Sequence, residues 1–457
     1  MLTVKTMADS TLSGNGTALR RRDLLGLALA GALPALAGAR RRKPNIVMLF
    51  ADDMGYSDLS CYGNPVIRTP NLDRMAAGGV RMTSFYAAAS VCTPSRAGLL
   101  TGRYPMRAGQ PNNLGPDSKG GLPLREKLIP ELLKPLGYRT MMIGKWHLGH
   151  DPVTHLPTNR GFDSYFGLLY SNDMIRPFVQ TDRPLELYRD TEPVERVGDQ
   201  SDLTQRYTEE ALKFIKASAK DPFFLYLPYS QPHLPVSARA PFAGRSRACV
   251  YGDTIETIDW SAGQILGELK KQGLDGDTMV VFASDNGPWH DLPQRMYANG
   301  VEAWHTGTKG MLRGAKASTW EGGFRIPGIV RWPGVVPEGQ VTADMASTLD
   351  LLPTFAAAAG VQLPKDRKYD GSDLLPWMKG LAPPPRKEFF YYSGDEMHAV
   401  REGSWKLRAH EGETPGLYHL DRDPAEMYEI HDRHPEVVAR LSARMREMAA
   451  ELAAPGG

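Results

Sequence analysis

Cysteine is scarce in this chain: its 457 residues include only Cys61, Cys92 and Cys249. So few thiols exclude a small disulfide-rich scaffold, and an odd number indicates that at least one thiol has a fate other than pairing. Whether Cys61 and Cys249 pair is open at this stage. Hydrophobic residues make up 42% and charged residues 23% of the chain. That composition and length are ordinary for a globular protein with a large buried core.

An excess of charge of one sign is also missing, since the formal net charge is +2. Without residues 1–37, Lys+Arg falls from 54 to 50 and Asp+Glu falls from 52 to 50, so the remainder is formally neutral. A nucleic-acid partner is therefore not expected, and any anion has to be bound by a local site.

Beyond residue 37 there is no apolar run long enough to cross a bilayer. The one apolar stretch, Leu24–Ala37, follows Arg20-Arg21-Arg22 and is shorter than the ~20 residues of a membrane span. This pattern predicts a twin-arginine-type signal peptide over residues 1–37, and hence a periplasmic or secreted protein in a bacterium. An uncleaved membrane anchor is the alternative, but stable membrane insertion is not expected.

Four apolar runs each lead into polar side chains. Continuous apolar runs predict strands that are buried on both faces, and the helical patterns between them predict an α/β fold with a large, mostly parallel sheet covered by helices. Such sheets place ligands beyond the carboxyl ends of their strands, so we expect these side chains to meet. The runs are 45–50 before Asp52 and Asp53, 138–143 before Lys145 and His147, 223–229 before His233, and 278–284 before Asp285 and Asn286.

The proline-rich segment 382–385 predicts a domain boundary. Before it we expect a catalytic domain over 44–381, and after it a small α+β subdomain over 386–457. Short strand-like runs followed by an amphipathic pattern from about residue 435 to residue 452 predict a small antiparallel sheet with one helix.

Three motifs carry a family resemblance. The stretch from Cys92 to Arg96, Cys-Thr-Pro-Ser-Arg, is followed by Leu-Thr-Gly-Arg and resembles the sulfatase signature, in which the cysteine is oxidised to formylglycine. Residues 137–147 resemble the second sulfatase signature, and residues 312–323 resemble the lysine-bearing loop of that family. From about residue 44 to about residue 435, the chain is similar to sulfatases of the alkaline-phosphatase-like superfamily. It looks like the arylsulfatase type, closest in appearance to the N-acetylgalactosamine-6-sulfatases.

The resemblance implies hydrolysis of sulfate esters by a formylglycine at Cys92, beside one Ca²⁺ ion per chain. Carboxylate and amide oxygens form a hard site that suits Ca²⁺ or Mg²⁺ better than zinc. Lys309 competes with Lys316 for the role of the loop lysine. The implied metal ligands are Asp52, Asp53, Asp285 and Asn286, and the implied catalytic residues are Cys92, Arg96, Lys145, His147, His233 and Lys316.

The same resemblance implies a role for each side chain around the nucleophile. Arg96 helps to hold the aldehyde hydrate and the acidic ligands, while Lys145 and Lys316 clamp the sulfate oxygens. His147 contacts the diol and acts as the base in sulfate elimination. Either His233 or Lys316 protonates the leaving alcohol.

The implied partners are a sulfated small molecule or saccharide as substrate and a formylglycine-generating enzyme during maturation. Three alternatives remain open at this stage. One is a formylglycine-dependent hydrolase of phosphonate monoesters or phosphodiesters, and another is a catalytically inactive carbohydrate-binding protein on the same scaffold. The third is an unmodified Cys92 that acts as a redox thiol. Trp289 could stack on a sugar ring or pack internally.

Overall fold

The computed structural model describes residues 42–410 and 414–454, which belong to one compact unit. The predicted signal peptide over residues 1–37 lies outside the described residues. Within the described ranges, no helix combines the length and the apolarity that crossing a bilayer requires. Cys61 and Cys249 are free thiols, which answers the question of their pairing.

The described residues form strands and helices that alternate through most of the chain. The strands are β1 Asn45–Ala51, β2 Val80–Tyr86, β3 Gly120–Gly121, β4 Arg139–Ile143, β5 Gly149–Asp151, β6 Ser164–Leu168, β7 Glu186–Arg189, β8 Glu192–Arg196, β9 Phe223–Pro228, β10 Thr278–Ser284, β11 Arg325–Arg331, β12 Gln340–Ser347, β13 Glu388–Ser393, β14 Glu396–Glu402, β15 Trp405–Arg408 and β16 Gly416–His419. The α-helices are α1 Pro70–Ala77, α2 Cys92–Thr101, α3 Ile129–Leu133, α4 Leu203–Ala217, α5 Cys249–Lys271, α6 Glu321–Phe324, α7 Leu351–Ala359, α8 Leu375–Met378 and α9 Pro435–Ala453.

Ten strands form one large mixed sheet in the order β12-β2-β11-β10-β1-β9-β4-β6-β7-β8. Its centre, from β10 to β6, is parallel throughout, and antiparallel pairs flank it on both sides. The predicted α/β class with a large, mostly parallel sheet is therefore confirmed.

The central strands are largely apolar because helices cover both faces of the sheet. Successive side chains of a strand point to opposite faces. On β9, the ring of Phe223 packs edge-on against Phe214 of α4, whereas the ring of the next residue, Phe224, contacts Phe355 of α7. Every residue of β1, β9 and β10 is buried. Because both faces of these strands are buried, their sequences do not alternate between apolar and polar residues.

The four strands that lead into polar side chains are immediate neighbours, in the order β10-β1-β9-β4. All of them run in the same direction, so their carboxyl ends open at one edge of the sheet. The expectation that the polar clusters meet there is confirmed by the contacts described below.

A second, antiparallel sheet of four strands, β13-β14-β15-β16, follows in the chain, and α9 packs against β14 and β15. This is the small C-terminal sheet with one helix that the sequence predicts. Its apolar side shares a hydrophobic cluster with Tyr86 and Phe324, and the ring of Tyr86 stacks on Phe389 of β13. The domain boundary at residues 382–385 stays a prediction.

Candidate active site

Cys92 is the first residue of α2, and its side chain points into the cluster at the sheet edge. Pro94 lies in the first turn of this helix, where a missing N–H group costs little. The residue is 1% exposed. Its Sγ donates to Asp52 Oδ1 at 3.5 Å and accepts from Lys316 Nζ at 3.4 Å. The predicted nucleophile therefore touches one predicted metal ligand and one predicted cation.

Four oxygen-bearing side chains from the ends of β1 and β10 meet beside Cys92. Asp53 adopts a left-handed conformation with φ 63°, and its N–H group donates to Asp285 Oδ1 at 3.0 Å. Asn286 Nδ2 donates to Asp53 Oδ1 at 2.7 Å, while Asn286 Oδ1 is buried without a hydrogen-bond partner. An orphaned amide oxygen beside three buried carboxylates fits a hard cation such as Ca²⁺.

Three buried cations neutralise the three carboxylates. Lys145 Nζ donates to Asp52 Oδ2 at 2.7 Å, and Lys316 Nζ donates to Asp53 Oδ2 at 2.7 Å. Arg96 lies one turn after Cys92 on α2, and its Nη2 lies 2.8 Å from Asp285 Oδ2 and 3.3 Å from Asp52 Oδ1. Each ammonium group is held within reach of an anion that binds next to the carboxylates.

Burial and these charges set the protonation states. Burial alone would raise the pKa of Asp52, but Lys145 and Arg96 overcome it and hold that pKa well below its usual value. Burial raises the pKa of the Cys92 thiol far above its ordinary value, with Lys145 and Lys316 opposing this only in part. The unmodified thiol therefore stays protonated at neutral pH, which makes it a poor nucleophile.

Two histidines complete the predicted set. His147 is left-handed with φ 59°; its Nε2–H group donates to the Leu114 carbonyl at 2.8 Å, and its Nδ1 is buried without a partner. Burial, and then the charge of Lys145, lower the pKa of His147 well below its usual value, so its ring is neutral. His233 Nδ1–H donates to the Leu234 carbonyl at 2.7 Å, and its Nε2 lies 3.4 Å from Asp53 Oδ2.

The backbone around Lys316 explains how a residue so distant in sequence reaches Cys92. The N–H group of Lys316 donates to the Pro288 carbonyl at 2.9 Å, and the N–H group of Ala317 donates to the Ser90 carbonyl at 2.8 Å. The loop thus bridges the segment after β10 and the segment before α2. The structure brings Lys316, and not Lys309, to Cys92 Sγ.

A buried ionic cluster fixes the end of the same loop. Glu321 accepts hydrogen bonds from the hydroxyls of Tyr86 at 2.6 Å and Tyr391 at 2.7 Å. Lys406 of β15 lies 3.1 Å from Glu321 Oε1 and 2.8 Å from Glu426 Oε1. The C-terminal sheet therefore supports the loop that carries Lys316.

One contact of the site was missed from the sequence. Ser171 Oγ accepts from Lys145 Nζ at 3.2 Å, and no motif marks it. Trp289, for which stacking on a sugar ring and internal packing were both open, lies at the site. Its ring is half-buried, 4.7 Å from Lys316 Nζ and 5.5 Å from the ring of His233.

The protein matches known proteins over almost its whole length. Residues 44–361 match the family model described as Sulfatase, and residues 315–451 match the model described as N-sulphoglucosamine sulphohydrolase, C-terminal. N-acetylgalactosamine-6-sulfatase from Mus musculus is 37% identical over 92% of this chain and 89% of its own length. Arylsulfatase A from Homo sapiens is 39% identical over 90% of this chain and 86% of its own length.

A solved structure shows the same likeness in three dimensions. The crystal structure of Ps i-CgsB in complex with k-i-k-neocarrahexaose superposes with a TM-score of 0.76 and 30% identity, and the match covers 89% of this chain and 93% of that chain. Family, fold and side-chain geometry agree: the chain belongs to the sulfatase family and is a sulfuric ester hydrolase.

Proposed function

We propose that this sulfatase hydrolyses sulfate esters through a formylglycine derived from Cys92, with one Ca²⁺ ion held by Asp52, Asp53, Asp285 and Asn286. The observation that carries the proposal is the placement of Cys92 Sγ between Asp52 Oδ1 and Lys316 Nζ at the start of a helix. A nucleophile at this position has acidic ligands on one side and a cation on the other. The helix N-terminus adds a preference for an anion.

Two groups that are not encoded as side chains supply part of the chemistry. Hydrated formylglycine would supply one hydroxyl for attack on sulfur and a second hydroxyl whose proton loss would let sulfate leave. A bound calcium ion would supply positive charge that stabilises the developing negative charge. The orphaned Asn286 Oδ1 and the carboxylates of Asp52, Asp53 and Asp285 are the groups that would hold it.

The side chains of the site supply charge and proton transfer. Lys145 and Lys316 hold the sulfate oxygens, because both ammonium groups lie at the carboxylates that flank the nucleophile. His147 accepts a proton at Nδ1, which is buried, unpartnered and neutral. His233 protonates the leaving alcohol through Nε2, since its Nδ1–H group is fixed on the Leu234 carbonyl.

A sulfated saccharide is the substrate class that we favour. Trp289 offers a half-buried aromatic face beside His233 and Lys316, and such faces stack well on sugar rings. The mouse relative is named for a sulfated aminosugar, and Ps i-CgsB binds a neocarrahexaose. An extracytoplasmic location, by way of the signal peptide predicted over residues 1–37, suits substrates of this kind.

Mass spectrometry of the peptide that contains Cys92 tests the modification. We expect the peptide from active enzyme to exchange one sulfur and two hydrogens for one oxygen, because a CH₂–SH group becomes an aldehyde. An aldehyde-reactive hydrazide should label the same peptide. Active enzyme that carries only the unmodified thiol would contradict the proposal. Peptides with Cys61 and Cys249, both free thiols, serve as internal controls.

Removal of the metal is expected to abolish most of the activity. Treatment with a calcium chelator should lower kcat on p-nitrophenyl sulfate by at least about 100-fold, since a bound cation contributes several kcal/mol to stabilising developing charge. Added Ca²⁺ should restore the rate, and Asn286→Ala should raise the concentration that is required. Full activity in chelated enzyme with no metal detected by mass spectrometry would rule out the metal assignment.

A further inference from the structure

Three side chains with metal-ligating atoms converge on the C-terminal sheet, outside the residues described above. Glu396 and His398 are two residues apart on β14, and an irregularity in the pairing with β13 lies between Met397 and Ala399. His410 follows the end of β15, the neighbour of β14. The N–H group of Ala409 donates to the His398 carbonyl at 3.0 Å, which holds this segment beside β14.

The three ligand atoms face one another. His398 Nε2 lies 3.6 Å and His410 Nε2 lies 3.5 Å from the same carboxylate oxygen, Glu396 Oε2. The two imidazole rings are nearly parallel, with centroids 3.8 Å apart, and all three ligand atoms lie within 4.8 Å of one another. Atoms bound at about 2.1 Å in a tetrahedron are about 3.4 Å apart, so the distances to Glu396 already match a bound ion.

The burial and exposure of the cluster also suit a metal. His398 Nε2 is buried and has no hydrogen-bond partner. The side chain of Glu396 is 68% exposed, which leaves an open side for water to complete the coordination.

We propose that Glu396, His398 and His410 bind one divalent transition-metal ion of the zinc class. Two imidazole nitrogens and one carboxylate oxygen are the ligands that Zn²⁺ accepts, with water in the fourth position. The χ2 torsion of histidine is soft, so each ring can turn to aim its lone pair at a shared ion. This donor set differs from the all-oxygen set of Asp52, Asp53, Asp285 and Asn286, so the two sites select different metals.

The position of the cluster gives the ion a structural consequence. The hairpin between β13 and β14 contributes Tyr392, Ser393 and Gly394 to a small cavity that is also lined by Ser90 and Ala317. An ion bound by Glu396, His398 and His410 would therefore link the segment after β15 to the β13–β14 hairpin. That hairpin borders the loops next to Cys92. An ion that binds the folded state but not the unfolded chain raises the melting temperature.

Titration of the purified full chain with Zn²⁺ by calorimetry tests this inference. The titration is done with saturating Ca²⁺ in a Cys92→Ala background, because Cys92, Asp52, Asp53 and His233 also lie within 4.8 Å of one another. We expect one Zn²⁺ per chain with a micromolar or lower Kd. His398→Ala and His410→Ala should each weaken binding at least about 10-fold. Co²⁺ at the same site should give the intense visible bands of a tetrahedral complex.

The matched control is His431→Ala, which removes a partly exposed histidine that pairs with Glu429 and Asp432. This variant should bind Zn²⁺ like its parent. Melting temperatures without zinc show whether each variant folds, and zinc should raise that of the parent but not that of the His398→Ala,His410→Ala double variant. Absence of Zn²⁺ uptake, or uptake that is unchanged in the folded double variant, would overturn the proposal. Either result is independent of the sulfatase activity.

Discussion

Cys92→Ala is expected to abolish turnover of p-nitrophenyl sulfate, with a loss of at least about 10⁴-fold in kcat, because a methyl group cannot be converted to the formylglycine that carries the nucleophile. The fold should survive. The substitution removes one sulfur, and Asp52 and Lys316, its two contacts, keep their ion pairs with Lys145 and Asp53. Circular dichroism and the melting temperature check the fold.

The assay of wild-type enzyme should also include a phenyl phosphonate ester. A greater activity on the phosphonate than on p-nitrophenyl sulfate would favour the phosphonate-hydrolase alternative.

Cys92→Ser separates the nucleophile from the release step. Serine has one hydroxyl, so it can accept the sulfuryl group but has no second hydroxyl whose deprotonation expels sulfate. We therefore expect at most one turnover per chain and a peptide that gains the mass of SO₃. Steady turnover by the serine variant would contradict the diol mechanism, while Cys92→Ala is the control that gains no mass.

Much of the site could be predicted because of one rule of sheet topology. Asp52, Lys145, His233 and Asp285 each follow an apolar run, and parallel strands with consecutive positions in the sheet bring their carboxyl ends together. The strand order itself is set by packing that no local pattern encodes. The sequence therefore predicts the membership of the cluster, but not that Asp52 rather than Asp53 contacts Lys145.

The remaining contacts depend on irregular backbone. His147 and Ala317 adopt left-handed conformations, φ 59° and 68°, that direct the chain around the site. Residues other than glycine seldom do so without tertiary support, so the sequence gives little signal for them. Similarly, Glu396 and His410 meet only through the pairing of β14 with β15. Long-range pairing of this kind is the part of the fold that local patterns leave open.

Support of the active site by the C-terminal sheet was also not foreseen. The motif around Glu321 identifies a loop, but the partners of Glu321 come from Tyr391 and Lys406, which lie beyond the predicted boundary at residues 382–385. Lys406 is fully buried, and the carboxylates of Glu321 and Glu426 beside it offset the cost of burying its ammonium group. The loop that presents Lys316 is therefore held in place by residues from both parts of the chain.

Lys316→Ala is expected to lower kcat by about 100- to 1,000-fold, the usual loss when one preorganised donor to a developing anion is removed. Burial alone would lower the pKa of Lys316, but the carboxylate of Asp53 more than compensates and holds that pKa above its ordinary value. The ammonium group is therefore charged throughout the neutral range. Lys309→Ala is the matched control in the same segment and should retain its rate. A loss in Lys309→Ala that equals the loss in Lys316→Ala would reverse the assignment.

The choice of substrate then shows what Lys316 does. In the substitution at sulfur, the nucleophile and the leaving oxygen lie on opposite sides of the sulfur atom. Lys316 Nζ lies 3.4 Å from Cys92 Sγ, on the side of the nucleophile. Lys316 is therefore placed to hold sulfate oxygens rather than to protonate the leaving alcohol. Lys316→Ala should therefore slow p-nitrophenyl sulfate and a sugar sulfate by the same factor. His233→Ala should slow the sugar sulfate far more, because p-nitrophenolate leaves without a proton. If Lys316→Ala shows the larger loss on the sugar sulfate instead, the roles of Lys316 and His233 are exchanged.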